Sequence, residues 1–180
     1  MKNTVTVFGS SRPVEGDAEF TIAYEVGKQI ALAGFTVCNG GYGGIMTASA
    51  KGAREAGGST IGVTANQFQR KANRWIDEEI RVDTLPERLL KLVEHGDAYI
   101  VLKGGTGTLL ELACVWEFMN KGIVQEKPII VVGNFWKDVI GTLRNEALWE
   151  GLGDCTEFIR QVKSPEECGS ILKEALSATS

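Results

Sequence analysis

The stretch that decides the fold is Val101-Leu102-Lys103-Gly104-Gly105-Thr106-Gly107-Thr108-Leu109-Leu110-Glu111. An apolar run from Ala98 to Leu102 predicts a buried strand, the glycines predict a turn, and the pattern beyond predicts a helix to about Lys121. In a strand-turn-helix corner of this kind, backbone N–H groups and the helix dipole attract an anion. The turn is neither a Walker A loop nor Gly-x-Gly-x-x-Gly. We therefore predict a different kind of phosphate-binding corner at 104–108.

Strand and helix patterns alternate along the whole 180-residue chain. Short apolar runs predict strands at 4–8, 35–38, 60–64, 80–83, 98–102, 128–132 and 158–162. Helical periodicity and capping residues predict helices at 17–33, 45–56, 84–95, 134–149 and 164–178, in addition to the helix after the central turn. This order indicates an α/β fold with a mostly parallel sheet that is flanked by helices on both faces. We expect one domain, 1–180, with three turns at the ligand-binding edge, at 9–12, 40–44 and 104–108.

Composition excludes several classes of function. The net charge of -4 argues against a general nucleic-acid-binding protein, which needs a basic face. No apolar run reaches the roughly 18 residues of a membrane span, and the strand pattern that starts at once after residue 3 predicts no signal peptide. The four scattered cysteines predict reduced thiols in a cytoplasmic protein, and a single histidine without Cys-x-x-Cys predicts no metal site.

The segment 65–79 interrupts the alternation. It is polar and contains Arg70, Lys71, Arg74 and Trp75. Long connections in compact domains are often functional, so this one either covers a ligand or is simply a solvated excursion. The sequence favours neither interpretation.

Glu111 is the residue with the clearest chemical signal. It lies one helical turn after Gly107 and Thr108, on a stripe that continues through apolar residues. A carboxylate on a buried stripe is costly unless it is used or paired, although an acid near a helix start can also merely complement the dipole. Arg88 gives a weaker signal. Periodicity alone favours a solvated arginine, and we expect the start of its helix at the sheet edge opposite the glycine turns.

Residues of the glycine turns are further candidates. Ser10 and Ser11 offer hydroxyl and N–H groups, or form a plain turn. The glycines of 40–44 allow close approach to a ligand, or tight helix–sheet packing. Met46 lines an apolar pocket or fills the core. Lys103 adds positive charge near a phosphate or is exposed at the end of the strand.

The motifs together resemble the LOG ("lonely guy") family. The sequence Lys103 to Glu111 is similar to the family signature Pro-Gly-Gly-x-Gly-Thr-x-x-Glu. The first strand and turn, 7–11, and the second glycine loop, 40–46, are similar to their counterparts in the family. Glu87-Arg88 stands at the usual distance before Asp97-Ala98. The resemblance covers nearly the whole chain and implies a Rossmann-like, doubly wound nucleotide-binding fold.

The resemblance also implies an activity. Family members hydrolyse the N-glycosidic bond of cytokinin ribotides or AMP and release the base and ribose 5-phosphate. Carried over, Arg88 and Glu111 are the catalytic pair, without a cofactor or a metal. The expected nucleotide- and phosphate-binding residues are Gly9, Ser10, Ser11, Gly41, Gly43, Gly44, Met46, Lys103, Gly104, Gly105, Thr106, Gly107 and Thr108. The expected ligand is a nucleoside monophosphate or a related phosphorylated small molecule, and the expected assembly is a homodimer.

The sequence departs from the family pattern at three points. Lys103 replaces the proline of the signature, Leu89 replaces the lysine that usually follows the arginine, and the cysteine of the first turn is missing. Relatives with this fold include molybdenum-cofactor carriers and nucleotide-sensing proteins. A non-catalytic nucleotide-binding or cofactor-carrier protein is therefore the alternative to a phosphoribohydrolase.

Overall fold

The computed structural model describes residues 3–177, in which seven strands form one parallel sheet. In chain order the strands are β1 (Thr4–Phe8), β2 (Thr36–Asn39), β3 (Thr60–Ala65), β4 (Glu78–Val82), β5 (Ala98–Val101), β6 (Ile129–Val132) and β7 (Ile159–Val162). Their order across the sheet is β4-β3-β2-β1-β5-β6-β7, and every pairing is parallel. The central strand β1 pairs Val5 with Val37 on one side and with Ala98 on the other. The predicted Rossmann-like α/β fold is confirmed.

Six helices cover the two faces of the sheet. They are α1 (Ala18–Leu32), α2 (Ile45–Glu55), α3 (Leu85–His95), α4 (Thr106–Asn120), α5 (Lys137–Trp149) and α6 (Pro165–Ser177). Helices α1, α2 and α6 pack around one apolar core, and α3, α4 and α5 pack around the other. The chain therefore changes faces between β1 and β5, and such a switch point opens a crevice at the carboxyl ends of the strands.

Most element boundaries lie within a few residues of the sequence-based predictions. The largest differences are at α5, which starts at Lys137 rather than at 134, and at β4, which covers Glu78–Val82 rather than 80–83. The predicted turn 104–108 is shorter than expected, because Thr106 already begins α4. The predicted end of the last helix at residue 178 lies outside the described residues.

The expected position of the start of α3 is wrong. A helix that joins two parallel strands must run antiparallel to both of them, so it begins at the carboxyl edge of the sheet. Helix α3 therefore starts beside the glycine turns, and Arg88, in its first turns, reaches Glu111 of α4. Thr84 and Glu87 form the predicted capping box at this start.

Among residues 3–177, no helix combines the length and apolar character that a transmembrane span requires.

Candidate active site

Backbone hydrogen bonds of Ser10 join the three turns at the carboxyl edge. Its N–H donates to the carbonyl of Lys103 at 3.1 Å, and its carbonyl accepts from the N–H of Ile45 at 2.9 Å. The first turn is thereby tied to the start of both α2 and α4. Gly44 has a φ of +65°, and a Cβ there would meet the backbone of Ser10 and Ser11. Gly44 thus permits the close approach of the first and second turns.

The start of α4 is an open set of backbone donors. Gly105 is its N-cap residue and carries no side chain that could cap the helix. The N–H groups of Thr106, Gly107 and Thr108 precede the first helical bond, which runs from Leu109 N to Gly105 O at 3.0 Å. These donors and the positive end of the helix dipole suit a phosphate group.

Arg88 is a buried cation at the carboxyl edge of the sheet. Only 7% of the residue is exposed. Its Nε donates to the carbonyl of Val63 at 2.8 Å, and its Nη2 lies 3.7 Å from the sulfur of Met46. Burial lowers the pKa of Arg88, and the charge of Glu111 opposes that effect. Arg88 remains cationic, because an arginine pKa lies far above neutral pH.

Glu111 faces Arg88 across the site. Its Oε1 lies 3.9 Å from Nη1 of Arg88, which is an ion-pair distance but too long for a hydrogen bond. Burial raises the pKa of Glu111 to about 7, and Arg88 opposes that rise. A carboxyl with this pKa is partly ionised at neutral pH and can exchange a proton there.

The second glycine turn makes room for the guanidinium. A Cβ on Gly40 would collide with Nη2 of Arg88 and come within 2.6 Å of the Met46 sulfur. The buried Asn39 shapes this turn, because its side chain accepts from Gly41 N at 2.8 Å and donates to Met46 O at 2.9 Å. The turn therefore leaves the space that the Arg88 guanidinium occupies.

A cleft of about 560 Å³ lies over these groups. Ten of the predicted site residues line it: Gly9, Ser10, Ser11, Met46, Arg88, Gly105, Thr106, Gly107, Thr108 and Glu111. The other five predicted site residues do not line it: Gly41, Gly43, Gly44, Lys103 and Gly104. The cleft has the size of a small-molecule site, and it places cationic and donor groups opposite one buried carboxyl.

Lys103 points away from the cleft. Its Nζ pairs with Oε1 of Glu19 at 2.6 Å and lies 6.0 Å from the ring centre of Phe135. The three side chains line a separate hollow of about 200 Å³. Lys103 is half exposed at the end of the strand, which is one of the two alternatives weighed for this lysine.

Five cleft residues were not among the predicted site residues: Arg12, Tyr42, Phe68, Arg70 and Leu85. Phe68 and Arg70 belong to the 65–79 segment, which the sequence marked only as a connection that either covers a ligand or is solvated. In the structure this segment forms one wall of the cleft. Tyr42 lies within the second glycine turn, 40–44, where the glycines alone gave a signal in the sequence.

The fold and the cleft define a class: a Rossmann-like α/β protein with an anion-binding corner and a buried Arg–Glu pair at its switch point. Residues 2–167 match the model of the SLOG cluster4 family. The chain belongs to this LOG-like family, and the resemblance seen in the sequence is confirmed.

Several relatives carry the name of an enzyme. The chain is 39% identical over 132 residues to a cytokinin riboside 5'-monophosphate phosphoribohydrolase of Mycobacterium tuberculosis, covering 72% of this chain and 70% of the relative. A protein of the same name from Mycobacterium marinum is 34% identical, with the same coverage. Among solved structures, the molybdenum cofactor binding protein from Rippkaea orientalis has a TM-score of 0.76 and 25% identity, over 98% of both chains.

Proposed function

We propose that the protein is a nucleoside 5'-monophosphate phosphoribohydrolase that cleaves the N-glycosidic bond of AMP or a related ribotide. The observation that carries this proposal is the juxtaposition of Glu111 and Arg88 beside the uncapped start of α4. A phosphate at that helix start would leave the attached ribose within reach of a carboxyl one helical turn further along. The relatives named as phosphoribohydrolases support the same activity.

The chemistry follows from the charges of the pair. Cleavage of an N-glycoside passes through an oxocarbenium-like state with positive charge on the ribose. Ionised Glu111 stabilises that charge or takes a proton from the attacking water, whose oxygen becomes bonded to C1'. The base leaves with the bond electrons and accepts a proton from solvent, and Glu111 returns its proton to solvent, so that water supplies OH to C1' and H to the base. Arg88 keeps part of the Glu111 population ionised, because its charge opposes the rise of the Glu111 pKa caused by burial.

The test is incubation with AMP and chromatographic measurement of adenine and ribose 5-phosphate. We expect both products in equal amounts from the wild type and none above background from Glu111→Gln. Glu117→Gln is the matched control, since Glu117 lies on the same helix in a surface ion pair with Lys121 at 3.6 Å. Equal turnover by wild type and Glu111→Gln would overturn the assignment of Glu111.

A carrier of a phosphorylated cofactor is the second candidate. The likeness to the Rippkaea orientalis protein over 98% of both chains favours it. A carrier would copurify with its cargo, so molybdenum in the purified protein together with no turnover of any nucleoside monophosphate would support this candidate. Turnover of AMP that depends on Glu111 excludes it as the sole function.

We further propose that residues 1–180 form a single domain that acts as a cytoplasmic homodimer. The one continuous sheet supports the single domain, and the free thiols support a reducing compartment. Leu109 and Leu110 on α4 are 37% and 48% exposed, which supports an apolar contact with a second copy. Sedimentation at micromolar concentration tests the dimer, and a monomer at all concentrations would contradict it.

A further inference from the structure

We propose that Tyr42 is a positioning residue that holds the Arg88 guanidinium opposite Glu111 by anchoring it to the end of β3. The function proposed above is needed only for the kinetic part of the test.

The hydrogen bonds of the Arg88 side chain do not by themselves fix the orientation of its guanidinium group. Among the contacts of its side chain with the described residues, the one short hydrogen bond is from Nε to Val63 O, at 2.8 Å. The terminal nitrogens meet a thioether at 3.7 Å and a carboxylate at 3.9 Å. Such long contacts restrain the plane of a guanidinium weakly.

The aromatic ring of Tyr42 lies next to the guanidinium group of Arg88. The Cζ atom of Arg88 lies 5.4 Å from the centre of the ring, which is within the range of a cation–π contact. Tyr42 is 9% exposed, so the contact is largely shielded from water. A desolvated aromatic face attracts a cation more strongly than an exposed one does.

The hydroxyl of Tyr42 forms two hydrogen bonds with the backbone of β3. It accepts from Ala65 N at 2.9 Å and donates to Ala65 O at 3.2 Å. Ala65 is the last residue of β3 and stands two residues after Val63, whose carbonyl binds Arg88. Tyrosine and arginine are therefore anchored to the same strand end.

The backbone of Tyr42 is held from two further sides. Its carbonyl accepts from Asn73 Nδ2 at 2.8 Å and from Thr47 Oγ1 at 2.8 Å. Asn73 belongs to the connection between β3 and β4, and Thr47 belongs to α2. A side chain clamped in this way offers a fixed surface to Arg88, so that the guanidinium stays in place when a ligand enters.

The test measures the pKa of Glu111 by NMR of protein labelled with ¹³C at the glutamate carboxyls, with Glu111→Gln identifying the signal. Arg88 is the charged group that acts on Glu111 from α3, and Arg12 and Arg70 are the other cations lining the cleft. None of them is altered in the variants. This measurement requires no turnover, so it is independent of the proposed function.

We expect Tyr42→Leu to raise the pKa of Glu111 by about half a unit or more, because Arg88 is no longer held nearby. Tyr42→Phe keeps the ring face but loses the hydroxyl bonds to Ala65, so it should raise the pKa of Glu111 by less than Tyr42→Leu does. Tyr24→Phe removes a hydroxyl that binds Glu55 on the surface, and it is the control with no expected change.

The kinetic arm uses the AMP assay. Tyr42→Leu should lower kcat about 10- to 100-fold with KM changed less than about threefold. Tyr42→Phe, which keeps the ring but loses its bonds to Ala65, should have a kcat between those of Tyr42→Leu and the wild type. Loss of stability in both Tyr42 variants with an unchanged Glu111 pKa would reduce Tyr42 to a structural role and overturn the inference. Absence of AMP turnover in the wild type would count against the proposed function alone.

Discussion

Glu111→Gln should make the folded protein more stable than the wild type, and this gain in stability should grow as the pH rises from 5 to about 8. Burial raises the pKa of Glu111 from 4.5 to about 7, and 16% of its side chain is exposed, so solvent screens this effect little. The stability that the protonated carboxyl contributes is fully present below about pH 4.5 and is lost as the pH rises through about 7. Glutamine has a similar shape and no charge, so it avoids this loss.

The magnitude follows from the two pKa values. The interval between 4.5 and about 7, at about 1.4 kcal/mol per pH unit, corresponds to about 3 kcal/mol. The free energy of unfolding of Glu111→Gln should therefore exceed that of the wild type by about 1 kcal/mol at pH 5 and by about 3 kcal/mol above pH 8. For a chain of this length, 3 kcal/mol corresponds to an increase in Tm of about 6–12 °C.

Equilibrium urea unfolding at several pH values from 5 to 9 measures this difference. Glu117→Gln is the control, because its carboxylate is half exposed and its surface ion pair contributes little. The difference between Glu111→Gln and the wild type should widen with pH, whereas the difference for Glu117→Gln should stay near zero. A difference that is constant across the pH range would refute the claim that a desolvated carboxylate destabilises the fold.

Three further substitutions test the surroundings of the pair. Gly40→Ala should lower kcat at least about tenfold by displacing Arg88, whereas Gly141→Ala, which has open space around its Cβ, should leave the AMP assay unchanged. Arg88→Gln should raise the pKa of Glu111 above about 7, because the charge that opposes the effect of burial is removed, and the ¹³C titration measures the change. Thr84→Ala removes the acceptor of the α3 capping box and should reduce the free energy of unfolding by about 1 kcal/mol, measured in urea.

The local signals of the sequence were sufficient for the fold. Short apolar runs predicted all seven strands. The five inner strands are buried almost throughout, because helices cover both of their faces, and they stand out between glycine turns. Capping residues located the start of α3, since Thr84 and Glu87 form a box that depends only on neighbours in sequence. The edge strand β4 was the least well bounded, because its exposed residues carry little apolar pattern.

The site was only partly predictable, since it is assembled by contacts between distant segments. Periodicity placed Arg88 on a solvated surface, but the residue is buried because Gly40, 48 positions earlier, leaves room for its guanidinium. The sheet edge at which α3 begins could have been predicted from the sequence, because a helix between two parallel strands must begin at the carboxyl edge. Phe68 and Arg70 enter the cleft through the path of a long connection, which no local pattern specifies, and Tyr42 enters it from the second glycine turn.

The most direct test of the central claim compares AMP with adenosine as substrates of the wild type. If the start of α4 binds the 5'-phosphate and Glu111 acts at the ribose, adenine should be released from AMP at least about 100-fold more efficiently, in kcat/KM, than from adenosine. Glu111→Gln should abolish release from both. Failure to release a base from any common nucleoside monophosphate, or equal release from AMP and adenosine, would contradict the account.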